Sequence, residues 1–115
     1  MTEDEKRSEG PARALYKEAF GLFAKGELER SVDRYRAAIA AEPDLAIAWN
    51  GLSLALAKQG ELDAAIEAAE KLVELEPEDP LSHTNLSRIL MQKGLIPEAE
   101  DAKARATSLQ MKRRA

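Results

Sequence analysis

Between Ala46 and Pro80 the apolar positions recur three and four apart: Trp49, Leu52 and Leu56 in a first run, then Leu62, Ala65, Ile66, Ala69, Leu72 and Val73 in a second. Side chains so spaced share one stripe of a helix, so the segment predicts two amphipathic helices. Gly60 stands between the runs, where a helix can end with positive φ at no steric cost. The second run meets Glu76-Pro77-Glu78-Asp79-Pro80, and proline cannot continue a helix. The layout recurs on both sides. Gly26, Gly60 and Gly94 lie 34 residues apart, and Leu22, Leu56 and Leu90 fall in register with one another. So do Leu28, Leu62 and Ile96, and the small residues Ser31, Ala65 and Ala99, while Glu42-Pro43-Asp44 closes the first copy. A fixed period of this size marks stacked helical repeats, in which no unit buries its own apolar face alone.

Three copies in phase, starting near Ala12, Ala46 and Pro80, resemble the tetratricopeptide repeat family over roughly residues 12–111. The middle copy matches best: Trp49, Leu52, Gly60, Ala65, Leu72 and Pro77 stand where that family places its tryptophan, leucine, turn glycine, small residue, small or aliphatic residue and terminal proline. The chain departs from the pattern at Ala19, Ser53 and Ser87 for the usual early glycine, at Tyr35, Ala69 and Lys103 for a small or aromatic residue, and at Met111 for the last proline. The resemblance implies an all-α fold, a right-handed superhelical stack of three antiparallel helix pairs over 12–45, 46–79 and 80–111. Residues 1–11 are expected to form a flexible tail and 112–115 a basic one. In the third copy Glu100, Lys103 and Thr107 replace Val32, Tyr35 and Ile39 of the first. A polar last helix of this kind is expected to cap the array.

In this family the first helices of successive repeats line a concave groove. Register then places Tyr16, Lys17, Phe20 and Phe23 in it from the first copy, Asn50, Leu54 and Lys58 from the second, and Asn85, Arg88 and Met91 from the third. Ile47, Gly51 and Leu81 fall at further groove positions of the same register. Tyr16, Phe20 and Phe23 share a helical face distinct from that of Leu15, Ala19 and Leu22. These aromatics either pack against the next repeat or anchor a partner, and the polar groove residues either orient a peptide or remain solvated walls. The family's clamp for chaperone C-terminal carboxylates needs lysine, arginine and asparagine at positions that here hold Tyr16, Phe20, Gly51, Leu81 and Asn85. That clamp is therefore not expected, since a desolvated carboxylate needs charge-assisted donors.

Charge changes the picture at one end. Net charge is −4, yet residues 102–115 hold Lys103, Arg105, Lys112, Arg113 and Arg114 with no acid. Cations in the last turn offset the partial negative charge of unpaired helix carbonyls; an acidic partner or nucleic acid is the other reading. The acidic remainder and the absence of interleaved aromatics disfavour nucleic acid. No run approaches the roughly 18 apolar residues of a spanning helix, and the polar start lacks a secretory h-region. A cytoplasmic protein is expected. The chain has no cysteine, and its one histidine, His83, shares the core-facing register of Leu15 and Trp49. No metal, cofactor or catalytic set is expected, because titration near neutral pH and converging ligands are both wanting. Glu67, Glu70 and Glu74 read as an outward charged stripe, with Lys71 one turn from Glu67.

The resulting expectation is a non-enzymatic adaptor that holds a peptide or helical segment of another protein in the groove. A homodimer assembling through the Ala99, Ala102, Ala106 and Leu109 stripe of the last helix is the rival expectation.

Overall fold

The computed structural model describes residues 10–114, and these form six helices and no strand. They are α1 (Pro11–Ala24), α2 (Leu28–Ala41), α3 (Ala46–Gln59), α4 (Leu62–Leu75), α5 (Pro80–Lys93) and α6 (Ile96–Arg114). Five are 14 residues long and α6 has 19. Consecutive helices pair as α1 with α2, α3 with α4 and α5 with α6, and the pairs stack as a right-handed superhelix. The second helix of each pair packs on the first helix of the next, and the first helices also touch one another in sequence.

Each turn inside a pair repeats one chemistry. Gly26, Gly60 and Gly94 adopt φ of 81°, 84° and 90°, and the next residue's N–H donates back to a leucine carbonyl five positions earlier. Those bonds, Glu27 to Leu22, Glu61 to Leu56 and Leu95 to Leu90, are each 2.9 Å. This is the left-handed close that satisfies the last helical carbonyls. Loops between pairs repeat as well. Trp49 donates its Nε1–H to the Pro43 carbonyl at 2.7 Å. One repeat later, His83 Nε2 lies 2.8 Å from the Pro77 carbonyl. A carbonyl can only accept, so Nε2 carries the hydrogen, and buried His83 is a satisfied core residue that ties down a loop. Asp79 caps α5, accepting from the Leu81 N–H at 3.0 Å, with Pro80 at the first helical position.

Small residues bring the helices of a pair together. Ala19, Ala65 and Ala99 are fully buried. In the first pair the Ser31 hydroxyl donates to the Ala19 carbonyl at 3.0 Å, and in the third the Ser87 hydroxyl donates to the Ala99 carbonyl at 2.8 Å. Ser31 and Ala99 share a register, as do Ala19 and Ser87, so the same crossing is bridged with donor and acceptor helices exchanged.

α6 continues through Lys112, Arg113 and Arg114, so these cations form its last turn, where they oppose the carbonyl dipole, instead of a separate tail. α1 begins at Pro11, and residues 1–9 of the expected tail lie outside the described residues. Of the small-residue stripe of α6, three members are used in packing within the chain and Leu109 is half-buried. Ala99 and Ala102 are packed with Leu90, Leu86 and Ile66, and Ala106 is also buried. On the outer face Lys71 pairs with Glu74 at 3.4 Å instead of with Glu67.

Because a Cβ in the left-handed region costs roughly 1–2 kcal/mol, Gly60→Ala will lower the unfolding free energy by about that amount, read as a lower urea midpoint. The slope of the transition will be unchanged, as the surface exposed on unfolding is the same.

Candidate functional site

The side of α1, α3 and α5 not used for packing carries a series of depressions. Between α1 and α3 a small depression of about 60 Å³ is lined by Tyr16, Phe20, Phe23, Ile47, Asn50 and Leu54, with buried Tyr35 and Gly51 at its base. Between α3 and α5 a larger depression, about 250 Å³, shares Ile47, Asn50 and Leu54 and adds Leu72, Glu76, Leu81 and Asn85. The two are therefore contiguous across α3. A third, of about 360 Å³, lies beyond α5 and is lined by Thr84, Ser87, Arg88, Met91 and Lys103. In register it corresponds to the depression beside Tyr16, Phe20, Phe23 and Tyr35, with no following helix among the described residues to close it.

Each expected groove residue can now be placed. Phe20 is 55% exposed, and its ring centroid lies 6.2 Å from that of Tyr16. Tyr16 and Phe23 are half-buried against the core. The aromatic trio thus divides: Phe23 and Tyr16 serve packing as well as lining, and Phe20 projects. Lys58 extends over Phe23, its Nζ 5.4 Å from the ring centroid, a cation–π contact on the groove wall. Leu54 is exposed at the boundary of the two contiguous depressions. Asn85 donates to the Asn50 side chain, linking α5 to α3. Arg88 and Met91 sit together but in the third depression, apart from the aromatic end. Lys17 is exposed on α1 and lines none of the three.

Two further apolar residues stand at the depressions. Ile47 lines both contiguous depressions, and Leu81 is 71% exposed, the largest value among the exposed apolar side chains. Their shared groove register was the available signal. Gly51, by contrast, is buried at the floor of the first depression. Tyr35 covers it so closely that an added Cβ would lie inside the ring's van der Waals envelope, against Cε1, Cζ and Oη. The tyrosine of one pair therefore seats directly on the backbone of the next. Burial, reinforced by the nearby Tyr16 phenol, pushes the Tyr35 hydroxyl from its ordinary 10.0 up to about 12.

Among the described residues, no three His, Asp or Glu side chains converge on a cation site. No helix among them is long and apolar enough to cross a membrane.

Comparison with known proteins agrees with this fold. Two tetratricopeptide repeat models match, one over residues 16–80 and the other over 56–113. No curated protein matches the sequence. Among solved structures, MamA is 29% identical with a TM-score of 0.84, over 89% of this chain and 60% of MamA. The chain thus spans about three fifths of that relative's length. The Yersinia enterocolitica type III secretion chaperone SycD, in complex with a peptide of the translocator YopD, is 24% identical with a TM-score of 0.79, over 84% of this chain and 73% of SycD. The first repeat domain of Spaghetti (RPAP3), bound to the HSP90 peptide SRMEEVD, is 16% identical with a TM-score of 0.81, over 85% of this chain and 78% of that one. At those last two identities the likeness establishes the fold.

Two predictions follow from the Tyr35–Gly51 seat. Gly51→Ala gains about 1 kcal/mol of helix propensity, but overpacking a ring held by Tyr16 costs about 1–3 kcal/mol. Net destabilisation in urea melts is expected, and in a Tyr35→Ala background the same change will be neutral or stabilising. Secondly, a phenol whose folded value lies above its unfolded one stabilises fully below pH 10, and that stability is lost as pH rises toward 12. The loss is roughly 2–3 kcal/mol over that window. Tyr35→Phe will remove this component from the dependence of the urea midpoint on pH.

Proposed function

The chain belongs to the tetratricopeptide repeat family, and from that we propose that it is a non-enzymatic adaptor holding a segment of another protein across α1, α3 and α5. The observation that carries this reading is Phe20. It is a large aromatic, more than half exposed, beside Leu54 and Ile47, which also line the neighbouring depression that holds Leu81. Apolar side chains in water have no folding reason to gather there, and such gatherings mark interaction surfaces. Buried aromatic and aliphatic anchors dominate the energetics of typical interfaces, so Phe20, Leu54, Ile47 and Leu81 would supply most of the affinity. Asn50, already engaged with Asn85, would orient the segment through its remaining amide valences, and Asn85 would do the same.

The structures of SycD with a YopD peptide and of RPAP3 with an HSP90 peptide support a peptide ligand for this fold. The carboxylate-terminus mode is not the one proposed. Of the five positions it would need, Gly51 lies buried beneath Tyr35 and Tyr16 is packed against the core, and neither carries a cation. Binding would instead rest on side-chain anchors along the segment.

Phe20→Asp tests this directly. Affinity capture followed by mass spectrometry, run in parallel on the wild type and the variant, will show partners retained by the first and lost by the second. Circular dichroism and melting will be unchanged, as Phe20 is outside the core. Equal capture by both proteins would refute the groove as the binding surface.

A further inference from the structure

A fourth depression, of about 240 Å³, lies between α4 and α6, over α5, and shares no lining residue with the three described above. Its origin is a change of ring. His83 stands one repeat after Trp49, and each bonds the proline carbonyl of the loop before its helix. Where the first two pairs meet, the Trp49 indole packs against the core with Ile39 and Ala64. Where the second two meet, the imidazole makes the same loop bond but lacks the indole's second ring. The space beside it opens onto Val73, Leu86 and Leu90.

The rim has changed as well. Its charged residues are Glu70 from α4 and Glu98, Asp101 and Arg105 from α6, three carboxylates against one guanidinium. One repeat earlier the same positions hold Arg36, Ala64, Glu67 and Lys71, where cations outnumber the single acid. All four rim residues are exposed, and none makes an ion pair with another described residue. Glu98 lies in the first turn of α6, where it complements the helix dipole. That accounts for neither Glu70 nor Asp101. The carboxylates stand on two helices and do not converge on a metal ion, an arrangement suited to a larger cation. His83 adds an acceptor. The residue is only 5% exposed, and its Nε2–H is committed to Pro77. Among the described residues no fully buried side-chain nitrogen or oxygen lacks a partner, so Nδ1, which bonds none of them, is reached by solvent. His83 lines the depression, and in this tautomer Nδ1 accepts. A ligand N–H can take the place of that solvent.

We propose that this depression is a docking site for an arginine side chain of a partner protein, separate from the groove and independent of it. Its volume falls below the about 300–1,000 Å³ of small-molecule sites and suits one side chain. The aliphatic stem would lie on Val73, Leu86 and Leu90, as long cationic side chains do on apolar surface. The head would donate to His83 Nδ1 and to the flanking carboxylates. Guanidinium offers several donors in a rigid plane and is more weakly hydrated than ammonium, so arginine fits this set of acceptors better than lysine.

The chain has one histidine and one tryptophan, so NMR of the full chain reads the two places separately. His83 imidazole signals report the proposed site, and the Trp49 indole signal reports its counterpart one repeat earlier. The probes are N-acetyl-arginine methylamide, its lysine equivalent and its citrulline equivalent, an uncharged isostere. The arginine probe is expected to shift the His83 signals saturably at millimolar concentration and to leave Trp49 unmoved. The lysine probe will bind about threefold or more weakly, and the citrulline probe about tenfold or more weakly. Glu70→Arg/Glu98→Ala, which installs the residues of the first repeat, will abolish the His83 response. His83→Trp, whose indole can keep the loop bond and refill the space, will abolish the accompanying shifts of the Leu86 and Ala102 amides. Both variants will keep wild-type circular dichroism. No saturable shift, an equal response to the lysine or citrulline probe, an equal movement of Trp49, or a His83 response that survives Glu70→Arg/Glu98→Ala would overturn the proposal. Tighter binding of free arginine than of the blocked probe would make this a small-molecule site and overturn the docking role. None of these outcomes bears on the groove, which the Phe20→Asp capture tests on its own.

Discussion

A pair of 14-residue helices cannot cover its own apolar stripe, and here the covering surface is always the next pair. The largest buried cluster draws Ala19 from α1, Val32 and Tyr35 from α2, Leu52, Ala55 and Leu56 from α3, Ala65, Ala68 and Ala69 from α4, and Ile89 from α5. The core therefore runs through the junctions and is owned by no single repeat. Everything else in the architecture follows from keeping those junctions alike. Equal lengths of the first five helices, one left-handed glycine per pair and a proline loop at each of the two junctions bring each stripe to the same place relative to the last. Completely buried alanines at Ala19, Ala65 and Ala99 keep the helices of a pair close enough for the leucine columns to interlock.

Within that shared frame the two junctions are packed differently. At the first, the Tyr35 ring fills the space left by a residue with no side chain, Gly51. At the second, the corresponding register pairs a small residue, Ala69, with a large one, Asn85. Bulk has moved from the outer helix to the inner one, and the polar side chains it brings are tied across the junction. Asn85 bonds Asn50, Gln92 donates to the Ala57 carbonyl at 3.1 Å, and Lys93 reaches Asp63. An aromatic wedge joins the first two pairs and a polar ladder joins the second two. In the third copy the same register holds exposed Lys103, where no further described pair needs to be met.

The frame was legible in the sequence because it is written three times. Period, turn glycines and leucine columns each constrain one another, so an error in one copy is corrected by the other two. What was less legible are features that occur once. The Tyr35–Gly51 seat was hidden because a glycine at a groove register reads as open surface, and its burial depends on a side chain sixteen positions earlier on another helix. The α6 stripe of Ala99, Ala102 and Ala106 could be assigned to a second copy because small residues favour close packing in either setting. Only the position of α5, with Leu90 over the stripe, decides that it is internal. Phe20 and Phe23, three apart, fall on opposite sides of the boundary between surface and core, a distinction finer than helical periodicity resolves.

That boundary is also why the concave face carries the functional argument. α3 is enclosed by its partner and by the pairs on both sides, with Ala48, Gly51, Leu52, Ser53, Ala55, Leu56 and Ala57 all buried. It is apolar nearly all round, as a helix in the centre of a core must be. What remains outward is a narrow strip bearing Ile47, Leu54 and Lys58. Substitution on such a strip leaves the junctions untouched, so the fold places few demands on what stands there. Two branched aliphatic residues on α3, with Phe20 and Leu81 flanking them on α1 and α5, are therefore unexplained by packing. Each exposes apolar area whose burial would be worth about 25 cal/mol per Å². The fold does not recover that free energy; a ligand lying across the three helices would.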